Sequence, residues 1–322
     1  MVGRYGPHNP DETYVAHAFP EQLFDTGEVK LNYAMAGDAS KPALLLVPGQ
    51  TESWWGYEAA MGLLQDRFQI FAVDLRGQGR SGRTPGRYTL DNMGNDLVRL
   101  IQAVIGRPVI VSGLSSGGVI SAWLAAFATP GQVTAAVLED PPLFSSEADP
   151  AVGASIRQAI GYRFRLLHKW LGPQWSVGDV AGLRNAMTTE TPAWIFSAIE
   201  AAAAAGNVPP PPPGDDRMLR EYDPEWAEAF YTGRVALTCD HENMLRQVKV
   251  PVLCTHHFRV TDPETGNLLG AISDQQVSYA RKLIEGTGSP FTYRSFPSMA
   301  HSMHGADPAL YAQTIDQWIA SL

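Results

Sequence analysis

Val109-Ile110-Val111-Ser112-Gly113-Leu114-Ser115-Ser116-Gly117-Gly118-Val119 is the stretch that decides how this chain is read. It opens as an apolar, β-branched run, passes through a G-x-S-x-G pattern, and leads into the helical Val119–Phe127. Strand, tight turn and helix in that order force the central serine onto a strained backbone with its hydroxyl exposed. Ser115 is therefore the candidate nucleophile, and glycines at 113, 117 and 118 let neighbouring backbone approach it. A serine hydroxyl needs a base and a place for a developing oxyanion. The backbone N–H of Ser116 is one expected donor. The second is expected from the main chain of Gln50, in the Pro48-Gly49-Gln50 loop that follows the apolar run Ala43–Val47.

Outward from this turn, short apolar runs alternate with longer periodic ones. Strands are expected at Ala43–Val47, Gln69–Val73, Pro108–Ser112 and Val133–Leu138, with helices at Glu58–Gln65, Asp91–Ile105 and Val119–Phe127. Leu-, Val- and Ile-rich strands alternating with helices predict an α/β fold whose mostly parallel sheet is covered on both faces. Gln22–Asp25 and Val29–Ala36, across Gly27, read as an antiparallel hairpin leading into it. From about Leu143 to Arg246 the strand pattern gives way to helical, aromatic-rich sequence. Sheet character returns at Val250–Thr255 and Phe291–Phe296, with a capping box at Ser273 and Gln276 and a last helix from about Asp307 to Ser321. The outline is a core domain of residues 1–142 and 247–322, interrupted once by a helical cap at 143–246. The five prolines Pro209–Pro213 inside the cap read as a stiff, exposed linker.

The 322 residues carry a net charge of −9, which argues against a general affinity for nucleic acid or anionic membrane. Only Cys239 and Cys254 are present, too few for a disulfide framework and without zinc spacing. Neither the N-terminal residues nor the uncharged stretch Pro108–Leu138 reads as a signal or spanning segment, since serines, glycines and a proline interrupt the latter. The expectation is a cytoplasmic protein, active without cofactor or metal; a homodimer is compatible with the sequence.

Val47-Pro48-Gly49-Gln50, the turn Asp74-Leu75-Arg76-Gly77-Gln78-Gly79-Arg80-Ser81, the Ser115 turn and a late Ala300-His301 together resemble the α/β-hydrolase superfamily in order and spacing. The resemblance implies the α/β-hydrolase fold, with His301 as the base and His304 as the fallback. It also makes the Asp74 turn structural. Neither the His301/His304 pair nor His256-His257 has a metal-site pattern around it. The acid usually follows the seventh strand in that family, but here Gly270-Ala271-Ile272 stands where it is expected. Asp262 falls in a hairpin turn of the preceding insertion, and Asp274 in the first turn of a helix. Glu139-Asp140 ends the sixth strand, and adjacent strand residues face opposite ways, so one of the two can reach the imidazole. Asp140 is the choice, with Glu139 and Asp262 as alternatives.

An acid after the sixth strand narrows the resemblance to the zearalenone hydrolases, lactonases that open a resorcylic macrolactone. Ser53-Trp54-Trp55-Gly56-Tyr57-Glu58, Leu90-Asp91-Asn92-Met93-Gly94-Asn95-Asp96-Leu97 and Leu138-Glu139-Asp140-Pro141-Pro142 are similar to its bacterial members. So are Thr255-His256-His257 and the turn at 261–266. That resemblance implies a substrate contact for Trp226, in Glu221-Tyr222-Asp223-Pro224-Glu225-Trp226, with one residue more than the fungal pattern. Trp54 and Trp55, just after the oxyanion loop, are further candidates to line the pocket. The reading is a Ser115–His301–Asp140 hydrolase forming an acyl-enzyme from a small, apolar aromatic lactone. The rivals are a general carboxylesterase, a carbon–carbon bond hydrolase, and a slow-turnover ligand sensor on the same scaffold.

Overall fold

Ala43-Leu44-Leu45-Leu46-Val47 has no polar residue because both of its faces are covered. It forms β3 (Ala43–Val47), buried at every position. Leu45 and Val47 face one core cluster with Val111, Trp123 and Leu138, whereas Leu44 and Leu46 face a second with Ile110, Val137, Tyr311 and Trp318. This is the period-two alternation of a strand between two helical layers.

The computed structural model describes residues 16–176, 178–204, 216–262 and 264–322. The chain opens with the antiparallel hairpin β1 (Glu21–Asp25) and β2 (Lys30–Ala36). It continues through β3, α1 (Glu58–Leu64), β4 (Gln69–Val73), α2 (Leu90–Leu100), β5 (Val109–Leu114), α3 (Ser116–Phe127) and β6 (Val133–Glu139). Helices then dominate: α4 (Gly161–Trp170), α5 (Val180–Thr189), α6 (Ala193–Ala204), α7 (Asp216–Arg220), α8 (Pro224–Tyr231) and α9 (His241–Leu245). The sheet resumes with β7 (Val252–His256), followed by a small hairpin of β8 (Val260–Thr261) and β9 (Leu268–Leu269). α10 (Asp274–Glu285), β10 (Phe291–Ser295), α11 (Met303–Ala306) and α12 (Pro308–Ile319) complete it.

The eight-stranded sheet has the order β1-β2-β4-β3-β5-β6-β7-β10, with every pair from β4 to β10 parallel and β2 antiparallel to its neighbours. From β3 the chain moves first to one side, into β4, and then to the other, into β5. Such a reversal opens a crevice at the carboxyl ends of the two strands. Those ends are Val47-Pro48-Gly49-Gln50 and Leu114-Ser115, held in register by the pairing Val47↔Gly113. The sheet therefore brings the two expected oxyanion segments together.

Several boundaries differ from the sequence expectation for local reasons. α3 starts at Ser116 rather than Val119, because the turn before it is completed at Ser115. The expected Asp91–Ile105 helix is α-helical to Leu100 and then widens into a π-turn over Ile101–Ile105, closed by left-handed Gly106. β7 starts at Val252, just after Pro251, and Ser273 and Gln276 form the capping box of α10. α9 packs against α3 and α10, so the last helix of the insertion rests on the core. The proline run Pro209–Pro213 lies outside the described residues. Among the described residues, no helix is long and apolar enough to cross a membrane.

Candidate active site

Ser115 sits between β5 and α3 at φ 54° and ψ −120°, a left-handed region that costs a non-glycine residue of order 1–3 kcal/mol. Close packing holds it there. A Cβ on Gly113 would stand 2.2 Å from the Gly117 carbonyl oxygen, and one on Gly117 would stand 2.3 Å from that of Val47. Ser115 N–H donates to Glu139 O at 2.8 Å, which fastens its backbone to the neighbouring strand.

The loop after β3 closes over this turn, with the Cβ position of Gly49 only 3.3 Å from Ser115 Cβ. Gln78 Nε2 donates to Gly49 O at 2.7 Å. A trans peptide points its C=O and N–H in opposite directions, so this grip turns the following Gln50 N–H away from Gln78. Ser116 is the first residue of α3, and its N–H has no intrahelical acceptor. The side chains of these two expected donors meet: Gln50 Nε2 donates to Ser116 Oγ at 3.3 Å.

Asp140 directly follows β6 at φ 43°, and its left-handed backbone turns the carboxylate toward the loop after β10. There His301 Nδ1 lies 2.6 Å from Asp140 Oδ2. The other carboxylate oxygen, Oδ1, accepts His257 N–H at 3.0 Å. Burial alone would raise the Asp140 pKa, but the His257 and His301 interactions hold it below the ordinary range. For His301, desolvation pulls downward, while the hydrogen bond and charge of Asp140 outweigh it and raise the pKa above 6.5. With Nδ1 engaged, Nε2 is left for proton transfer, and the side chain retains 49% of its exposure. His257 steadies the same pair from behind: its Nδ1–H donates to His301 O at 2.9 Å, and its Nε2 lies 3.0 Å from Thr255 Oγ1.

The two alternative acids are occupied elsewhere. Glu139 lies on the opposite side of β6, where Oε2 is 2.8 Å from His304 Nδ1 and Oε1 accepts the N–H groups of Met303 and His304. His304 Nε2 meets Glu52 Oε1 at 2.9 Å, and Glu52 Oε2 in turn accepts Gly49 N–H at 3.2 Å. Tyr57 stacks on the imidazole at 3.7 Å. Burial disfavours a charge on His304, yet the two carboxylates lift its pKa to about 10. His304 is thus a buried imidazolium joining the loop after β3, β6 and the loop after β10. Asp262 spends its carboxylate on the N–H of Thr265 and Glu264 in its own turn. Asp74 likewise accepts from Asn32, Trp54 N–H and Arg80 N–H, and burial raises its pKa to about 7.

Comparison with known proteins adds to this geometry. A family model described as the alpha/beta hydrolase fold matches residues 42–177. The crystal structure of E-2-(acetamidomethylene)succinate hydrolase covers 94% of this chain and 99% of its own at a TM-score of 0.63 and 20% identity. The enol-lactonase from Burkholderia xenovorans covers 93% and 100% at 0.62 and 15%. The chain has the α/β-hydrolase fold. Among curated relatives, 3-oxoadipate enol-lactonase 2 of Acinetobacter baylyi is 34% identical over 100 residues, 30% of this chain and 37% of the relative. Epoxide hydrolase 4 of Mus musculus is 24% identical over 175 residues, 53% and 48% respectively. The chain thus matches between about a third and a half of the length of these two curated relatives.

Within this α/β-hydrolase fold, the expected substrate aromatics have different surroundings. Trp54 is fully buried in the second core cluster, and its indole N–H donates to Glu21 Oε1 at 2.7 Å. It has no face left for a ligand, which corrects the expectation that it lines the pocket; its backbone N–H, given to Asp74, turns it inward. Trp55 is partly exposed and donates to Glu221 Oε2 at 3.2 Å, so it lies where the helical insertion meets the hydrolase core. Trp226 is as fully buried as Trp54, on α8 in the first core cluster and stacked on Tyr88 at 6.2 Å, so the expected substrate contact has no open face either; its indole N–H has no acceptor among the described residues. Sequence reasoning missed Glu52, His257 and Tyr222. Their partners lie 252, 44 and 172 residues away, beyond any local pattern.

Proposed function

We propose that the chain is a cofactor-free serine hydrolase that opens an aryl lactone, with zearalenone or a similar resorcylic lactone as substrate. The observation that carries the hydrolase reading is the 2.6 Å contact between His301 Nδ1 and Asp140 Oδ2, at the mouth where Ser115 sits on its left-handed turn. His301 Nε2 takes the Ser115 proton as Oγ attacks the ester carbonyl. Asp140 holds the imidazole in the required tautomer and stabilises its cation, without itself taking the proton. The N–H groups of Gln50 and Ser116 receive the oxyanion. Collapse releases the alcohol end of the ring, protonated by His301, and leaves an acyl-enzyme; a water deprotonated by His301 then frees the hydroxy acid.

The lactone substrate is supported by the resemblance of the 53–58, 90–97 and 138–142 segments to the zearalenone hydrolases. The similarity of 30% of the chain to an enol-lactonase agrees with it. Chromatography of zearalenone incubated with the protein, beside Ser115→Ala, tests the reading. Ring-opened product from the wild type alone supports it. Turnover of a p-nitrophenyl ester without lactone opening retains the serine hydrolase and removes the lactone.

A further inference from the structure

Three consecutive residues of the helical insertion, Glu221-Tyr222-Asp223, reach down to three motifs of the core. The Glu221 carboxylate accepts Ser53 Oγ at 2.6 Å and the Trp55 indole at 3.2 Å. Asp223 N–H donates to Gly77 O at 2.7 Å, and its fully buried carboxylate accepts from Tyr88 and Arg83. Between them the wholly buried Tyr222 phenol donates to Gln50 Oε1 at 2.7 Å. Burial keeps that phenol protonated far above neutral pH, so it remains a donor.

Gln50 passes this contact on. Its Nε2 donates to Ser116 Oγ at 3.3 Å, so one side-chain amide links the insertion to both residues whose N–H groups form the oxyanion hole. The other side of the same peptide is also set from the insertion. Asp223 fastens Gly77, and the next residue, Gln78, grips Gly49 O at 2.7 Å. Without Tyr222, Gln50 Oε1 loses its donor and the amide is free to rotate. An oxyanion donor acts only when fixed beforehand where the charge will appear.

We propose that Tyr222 is a positioning residue for the oxyanion hole, through which seating of the helical insertion orders Gln50 and Ser116. The inference rests on the serine hydrolase reading of Ser115. It implies that the site is complete only with the insertion in place. A contact used for substrate binding alone would act on KM. A contact that orders the oxyanion hole acts on the transition state, and so on kcat and on tetrahedral adducts.

The test compares wild type, Tyr222→Phe, Gln50→Ala and the double variant on p-nitrophenyl butyrate, with Ser115→Ala as control. Phenylboronic acid serves as the probe, since its boron accepts Ser115 Oγ to give a tetrahedral anion in the same hole. Tyr222→Phe is expected to lower kcat about 10- to 100-fold, with KM changed less than about two-fold, and to weaken the boronate by a similar factor. The double variant should be no worse than Gln50→Ala, because both break one link. Unchanged kcat and boronate affinity would overturn the inference even if the melting temperature falls, since that describes a structural brace. A loss confined to KM, or losses that multiply in the double variant, would overturn it too. If Ser115-dependent turnover is present beside a normal Tyr222→Phe, only this inference fails. If wild type is inert to the ester and to a fluorophosphonate, the hydrolase reading fails and takes the inference with it.

Discussion

Glu139 and Asp140 are adjacent in the chain and hold different histidines on opposite sides of one strand end. Asp140 Oδ2 is 2.6 Å from His301 Nδ1, and Glu139 Oε2 is 2.8 Å from His304 Nδ1. In the first pair the His301 side chain is half open to solvent above a buried Asp140, whereas both members of the second are closed in. The same two residue types thus make the proposed catalytic pair in one place and a structural ion cluster in the other, according to which side of β6 each faces.

Asp140→Asn should lower kcat by about 10³- to 10⁴-fold, because the imidazole loses both its tautomer and the charge that stabilises its cation. The fold should survive, since an asparagine oxygen can still accept His257 N–H. Ester hydrolysis rates and circular dichroism check the two halves. Near-normal turnover here, with loss in Asp262→Asn, would move the acid to the β8–β9 hairpin.

Glu139→Gln should act on stability. It leaves a buried imidazolium with one carboxylate in place of two, and breaking a buried ion pair costs about 3–5 kcal/mol. Urea unfolding should show that loss. Equal stability of wild type and Glu139→Gln would mean that His304 is neutral in the folded protein.

The same cluster gives stability a pH dependence of defined sign. The folded His304 pKa, about 10, lies above its unfolded value near 6.5. The contribution is fully present below pH 6.5 and fades as pH rises toward about 10. The urea midpoint should therefore fall across that window in wild type, and the decline should flatten in His304→Gln. A wild-type midpoint constant from pH 7 to 10 would contradict it.

Activity should have the opposite trend over a narrower range. His301 works as a base only when neutral, and Asp140 raises its pKa above 6.5. Ester hydrolysis kcat/KM should rise with pH to an inflection above 6.5. In Asp140→Asn the residual activity should inflect at lower pH, because only the charges of Glu139 and Glu52, without the hydrogen bond and charge of Asp140, then oppose desolvation. An inflection that stays in place in the variant would separate Asp140 from the titration.

Much of the fold was legible because parallel strands buried on both faces advertise themselves as uninterrupted apolar runs, as in Ala43–Val47 and residues 70–73. The Ser115 turn was legible because glycines crowd around one hydroxyl. Trp54 was misread because an aromatic beside a site loop can face inward or outward. What turned it inward was its N–H contact with Asp74, 20 residues on. His304 stood three residues from His301 as a fallback base, and nothing nearby in sequence marks Glu52 as its second carboxylate. Side-chain networks assembled from distant loops have no periodicity to read.

The pairing Leu114↔Glu139 and the hydrogen bond from Ser115 N–H to Glu139 O place Ser115 and Asp140, the proposed nucleophile and acid, one step beyond the same rung of the β5–β6 ladder. Their spacing is set by sheet geometry and cannot drift without tearing the ladder. The imidazole rides on a connecting loop, tethered at Phe258–Met299 and by His257. On warming, catalytic competence should therefore disappear through that arm, while the strands carrying its two partners are still intact.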